Sequence, residues 1–173
     1  MSWAQKEDAA GRQGFYEKIK FPVPSLKTGI GYLGLKKGEY AFSLSDINAS
    51  TLIIEVFNTY CHYCMRSMRR MNDLYELILE KGLSEEIKIV GIGMPNSESE
   101  ISKFQRQFDV LFPLISDPNS QFYRIVGRVK LPCLMVVQRG EDGYYREVFR
   151  KERENRPAER ILTDILHKTG IKQ

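Results

Sequence analysis

The sequence predicts an α/β domain built on a central mixed β-sheet, with helices on both faces and extra strands on the N-terminal side. Three observations carry that prediction. Residues 51–57 form an apolar, β-branched run, and soon after it the pattern turns helical, with Met65, Met68, Met71, Leu74, Leu77 and Ile78 recurring every three or four positions. A second buried run, residues 86–94, repeats the succession of strand and amphipathic helix. The last third instead reads as two strands joined through Gly140-Glu-Asp-Gly143 and a closing helix. Alternation first and a hairpin last is the pattern of a mixed sheet covered on both sides.

Each element has a local reason. Residues 1–30 are polar and then rich in proline and glycine (Phe21-Pro-Val-Pro24, Thr28-Gly-Ile-Gly31), so they are set apart as an N-terminal extension that wraps the domain or stays mobile. The domain proper is expected over 31–173, starting with one or two short strands in 32–44 broken at Lys37-Gly38. The helix after residue 60 should stop at Gly82. Ser97-Glu-Ser-Glu100 is a capping box opening a helix with Ile101, Phe104 and Phe108 on its apolar face. Residues 111–116 read as a short strand, and Asp117-Pro118 opens a helix through Phe122, Tyr123 and Val126 to Gly127. Strands follow at 134–138 and 144–150. The last helix starts near Pro157, buries Ile161, Leu162, Ile165 and Leu166, and ends at Gly170.

With 173 residues, 42% of them hydrophobic, the chain has material for one full core. Lys and Arg number 26 against 22 Asp and Glu, and no basic run is interleaved with aromatics, so a nucleic-acid partner is not expected. No stretch has the length of a transmembrane helix. No intact secretion signal is present, although Ser2-Trp3-Ala4 before Gln5 resembles the end of a cleavage site. The compartment stays open, with a periplasmic location set ahead of a cytoplasmic one.

The chemistry concentrates at Cys61-His-Tyr-Cys64, where a buried strand feeds a helix. Unpaired N–H groups and the macrodipole at a helix N-terminus favour negative charge, so the Cys61 thiolate should be stabilised there. His62 and the arginines at 66, 69 and 70 push the same way. Cys64 lies about one turn on and should be less exposed. Cys61 is therefore the expected nucleophile and Cys64 the resolving thiol. Glu55, inside the preceding strand, either relays protons to Cys64 with a pKa raised by burial or faces a polar edge or a lysine.

Structural zinc would want a second knuckle, and only Cys133, His62 and His167 remain to supply it. Covalent haem would want a histidine after Cys64, where Met65 stands. Two buried cysteines acting as small hydrophobes fit the strand-to-helix junction poorly. His167 reads as structural near a helix C-terminus.

These residues resemble the thioredoxin superfamily, and within it the TlpA/ResA-like thiol-disulfide oxidoreductases, over roughly residues 38–170. Tyr60-Cys-His-Tyr-Cys64 stands where the family has Trp-Cys-x-x-Cys. Phe42-Ser-Leu-Ser-Asp-Ile47 is similar to the hairpin and turn before the first central strand. Val90-Gly-Ile-Gly-Met94 and Phe112-Pro-Leu-Ile-Ser-Asp-Pro118 are similar to the branch's inserted strand–helix–strand. Val126-Gly-Arg-Val-Lys-Leu-Pro-Cys133 matches the segment carrying the family's cis-proline. The resemblance thus implies a thioredoxin-like three-layer fold and a cis Pro132, where the residues alone favour trans. It also implies that Leu131, Pro132 and Cys133 line the substrate-binding edge, with the Leu131 backbone pairing to an extended substrate. Cys133 is then either a third redox thiol or a buried strand cysteine. Departures from the branch are Tyr60 for Trp, Glu55 where Asn is common, Ser67 where Glu is common, and Cys133 where Thr is common.

The expected function is disulfide exchange with protein or peptide cysteines and an unidentified redox partner. The cysteine pair itself carries the two electrons, so no organic cofactor and no metal are expected, and a monomer is expected. A peroxidase is disfavoured because the Pro-rich loop with a Thr before the reactive cysteine is missing. The alternative is a copper- or zinc-handling module using Cys61, Cys64 and either His62 or Cys133 as soft ligands. A further reading is a docking protein that kept the fold and lost catalysis.

Overall fold

A computed structural model describes residues 16, 18–24, 27–36 and 38–172. The cleavage-like Ser2-Trp3-Ala4 lies outside the described residues. In chain order the elements are β1 (Phe21–Pro22), α1 (Lys27–Leu33), β2 (Ala41–Phe42), a 3₁₀ turn (Leu44–Asp46), β3 (Thr51–Phe57), α2 (His62–Glu80), β4 (Ile87–Gly93) and α3 (Glu98–Gln107). Then come β5 (Leu114–Ser116), α4 (Gln121–Val126), β6 (Cys133–Arg139), β7 (Tyr145–Glu152) and α5 (Ala158–Thr169). Five strands make one sheet in the order β5-β4-β3-β6-β7, and β1 and β2 pair separately. β3 is central, parallel to β4 and antiparallel to β6. The sheet is mixed, as the alternation-then-hairpin pattern requires, and the fold is thioredoxin-like with an extra N-terminal strand pair.

Period-two alternation along β3 splits the core in two. Leu52, Ile54 and Val56 face a cluster closed by Phe21, Leu33, Phe42, Leu44 and Phe122. Ile53 and Phe57 face the opposite cluster, with Met68, Met71, Leu74 and Ile78 of α2 and Ile161, Leu162 and Ile165 of α5. α2 has the apolar spacing read from sequence, and Gly82 follows its end at φ +68°. α3 carries the expected capping box, with Ser97 as N-cap and Glu100 answering it. In β4, a Cβ on Gly91 would run into the Leu114 side chain and the Phe57 ring, so glycine lets the aromatic layer close on the strand.

The N-terminal region departs from expectation. Residues 27–33 are helical, and among the described residues of 32–44 the strand is Ala41–Phe42. The reason is tertiary. β5 meets β4 only from Gly91 to Gly93, leaving the earlier part of that edge open. Tyr32 on α1 covers it, its hydroxyl accepting the Ile89 N–H at 2.8 Å while Lys88 lies over its ring. Leu33 fills the core beneath. A glycine-rich, turn-like sequence becomes a helix because it caps a strand edge.

Candidate active site

Cys61 is the N-cap of α2, just ahead of its first helical residue, with extended backbone. Its Sγ accepts the Cys64 N–H at 3.3 Å. The two cysteines are joined as a disulfide with Cα atoms 5.2 Å apart. Cys64 is fully buried, whereas Cys61 is half-buried and its neighbours Tyr60, His62 and Tyr63 are exposed. One sulfur thus faces outward at the positive end of a helix and the other is shielded beneath it.

The turn carrying Cys61 is laced to the loop after β4. Asn58 accepts the Tyr60 N–H at 2.7 Å and donates to the Met94 carbonyl at 2.9 Å. Asn96 accepts the Thr59 N–H at 3.0 Å and donates to the Thr59 hydroxyl at 2.7 Å. The Tyr60 hydroxyl donates to Glu100 at 2.6 Å, a bond that holds the Glu100 carboxyl well below the usual range. Tyr60 and the capping residue Glu100 were marked in the sequence but their bond was not, and Asn58 and Asn96 were not marked, though Asn beside a turn is the chemistry that could have flagged Asn58.

Glu55 lies beneath α2, 2% exposed. The Ser67 hydroxyl donates to its Oε1. Burial raises the Glu55 pKa from the ordinary range near 4.5 to about 7, against the lowering pull of the Ser67 hydrogen bond and Arg70. Ser67 follows Cys64 by three residues and so occupies the same face of α2, one turn on. Glu55 is therefore held one helical turn from the buried sulfur. Arg70 in turn donates to the Glu154 carbonyl at 2.6 Å.

Antiparallel pairing sets Cys133 opposite Val56, so Pro132 stands level with Phe57 at the end of the sheet where β3 hands over to Cys61. The Leu131–Pro132 peptide is cis, as the resemblance implied, and Met94–Pro95 is a second cis peptide that sequence reasoning missed. The Leu131 side chain packs against the cluster containing Cys61 and Cys64. Arg153 joins the two sides: its N–H donates to the Pro132 carbonyl at 2.7 Å, and its guanidinium lies 4.8 Å over the Tyr63 ring. The sequence carried no signal for Arg153. Cys133 is a free thiol, fully buried in the cluster on the other face of the sheet from Cys61 and Cys64. Burial pushes its pKa up to about 12. Among the described residues no three His, Cys, Asp or Glu side chains gather in a metal-binding group.

A central mixed sheet and a cysteine pair at the head of its first major helix, facing a cis-proline, define the class: a thiol-disulfide oxidoreductase of thioredoxin-like fold. Residues 20–149 match the AhpC/TSA family, and the chain belongs to that family, in its TlpA/ResA-like branch. The thiol-disulfide oxidoreductase ResA of Geobacillus thermodenitrificans is 26% identical over 159 residues, covering 92% of this chain and 79% of the relative. Among solved structures, a DsbE-type thiol:disulfide interchange protein from Chlorobium tepidum matches with a TM-score of 0.63 at 20% identity, covering 87% of this chain and 92% of its own. Peroxiredoxin Q of Xanthomonas campestris, in a cysteine-to-serine form, shares the fold at a TM-score of 0.59 and 15% identity, covering 84% and 98%.

Proposed function

We propose that the protein exchanges disulfides with cysteines of partner proteins or peptides, with Cys61 attacking and Cys64 resolving. The observation that carries this reading is the asymmetry of the pair: Cys61 is half-buried at an N-cap, Cys64 fully buried behind it. As a thiolate, Cys61 keeps the Cys64 N–H as a donor and gains from the helix dipole.

In the reductive direction the Cys61 thiolate attacks a partner disulfide. One partner sulfur leaves as a thiolate and the other stays bonded to Cys61. Cys64 then gives its proton to Glu55, attacks the Cys61 sulfur, and releases the second partner sulfur, which takes up a proton. Two electrons pass to the partner, and the Cys61–Cys64 bond forms. Reversal of the same steps oxidises a dithiol. A Glu55 pKa of about 7 suits a group that must both accept and return a proton near neutrality. Ser67 positions its carboxylate. The cis-Pro132 edge, with Leu131 beside it, supports docking of an extended substrate strand through backbone hydrogen bonds. An oxidising compartment outside the cytoplasm suits such chemistry.

The test is trapping. Cys64→Ser incubated with a disulfide-containing protein should accumulate a mixed disulfide at Cys61, visible by mass spectrometry and absent in Cys61→Ser. Equal trapping in both variants, or in neither, overturns the assignment of roles.

A further inference from the structure

A groove of about 530 Å³ starts at His62, the residue next to Cys61, and runs down the exposed flank of α2. Its apolar floor is Met65, Met68 and Phe108, its rim carries Arg66 and Arg69, and Asp109 closes the far end. A smaller groove of about 350 Å³, lined by Arg70 among others, borders the same two arginines on their other side, so they form a ridge between two hollows. Arg66 and Arg69 are exposed, and among the described residues neither has an ion-pair partner. Arg70, by contrast, is engaged by the Glu154 carbonyl. No carboxylate stands in the first turn of α2; Asp73 and Glu159 line the smaller groove on the other side of the ridge, and among the described residues neither forms an ion pair with Arg66 or Arg69.

We infer that this groove receives an acidic segment of the redox partner, lying alongside the partner's reactive cysteine. Carboxylates sit on Arg66 and Arg69, and an apolar side chain sits on Met65 and Phe108. Charge complementarity selects the occupant: a basic segment would face two unpaired guanidiniums across a desolvating floor. Geometry sets the register. From Cys61 to Arg69 the helix rises about 12 Å, which an extended strand covers in about four residues. The partner's acidic residues therefore stand two to four positions from its cysteine. This inference rests on Cys61 being the attacking sulfur.

The test uses reduced Cys64→Ser protein and peptides activated as mixed disulfides with thionitrobenzoate. The peptides differ only at positions two to four from the cysteine, which read Asp-Leu-Glu, Asn-Leu-Gln or Lys-Leu-Lys. The Cys61 thiolate attacks the peptide sulfur, a new S–S bond forms, and thionitrobenzoate leaves as a coloured thiolate. At low salt the acidic peptide should react about ten-fold faster than the basic one, and the ratio should shrink toward one at about 1 M salt, where the screening length is about 3 Å. Arg66→Glu combined with Arg69→Glu should reverse the order. Lys168→Glu should leave the order unchanged, because α5 ends beside Gln138, at the opposite end of the sheet. If the double variant does not fold, Arg69→Gln alone must reduce the ratio.

Equal rates for acidic and basic peptides, with the neutral peptide still reacting at Cys61, overturn the groove and leave the catalytic reading intact. Equal rates combined with arginine-dependent binding to phosphatidylserine vesicles overturn it in favour of a membrane surface. Failure of even the neutral peptide to react at Cys61 overturns both readings.

Discussion

Ser67 is a small residue in a consequential place, because its hydroxyl is the hydrogen-bond donor to a carboxylate otherwise stripped of solvent. Removing it leaves the charged form of Glu55 less stabilised, so the Glu55 pKa rises further. In Ser67→Ala the pH profile of the resolving step should therefore move to higher pH, and that step should be roughly ten-fold slower at neutral pH. Rapid-mixing measurements of mixed-disulfide decay would read both, and an unmoved profile would remove Ser67 from the mechanism. The sequence named Glu55, Cys61 and Cys64 because each breaks a local pattern: a carboxylate in an apolar strand, and two thiols at a helix start. Ser67, Asn58, Asn96 and Arg153 break none. They are ordinary polar residues whose meaning depends on what lies opposite, 37 positions away in the chain for the Thr59–Asn96 contact and between the turn after β7 and the first turn of α2 for Arg153 and Tyr63.

Among the elements, β3, α2, β4, α3 and α5 were legible because their apolar periods and caps act locally. The segment before β3 was not. α1 exists because β5 is too short to cover β4, and nothing within residues 27–33 announces an uncovered edge 57 positions further along the chain, the separation of Tyr32 from Ile89. The glycines of β4 make a parallel point. Gly91 was part of a family-like string, but its physical reason is the approach of Leu114 and Phe57. Gly91→Ala should therefore destabilise the protein by about 1–3 kcal/mol through overpacking, read as a lower denaturation midpoint with an unchanged denaturant slope. Ala tolerated there without loss would mean that the aromatic layer yields easily.

For the molecule as a whole, Glu55 links stability to pH. Its folded pKa, about 7, lies above the ordinary value near 4.5 that it regains on unfolding. Between those values the folded chain holds a proton that the unfolded chain has lost, so stability falls as pH rises through the window. Glu55→Gln cannot titrate. Between pH 4 and pH 8 the parent should lose about 3 kcal/mol more than this variant, measured by denaturant unfolding of the oxidised protein. Equal losses would mean that Glu55 titrates normally. The split core has a last consequence. With Cys133 on one side of β3 and β6 and the working pair on the other, the sheet acts as an insulating wall. The third sulfur has no route to a mispaired bridge while the fold persists. A protein that makes and breaks disulfides repeatedly can thus carry a spare cysteine without scrambling itself.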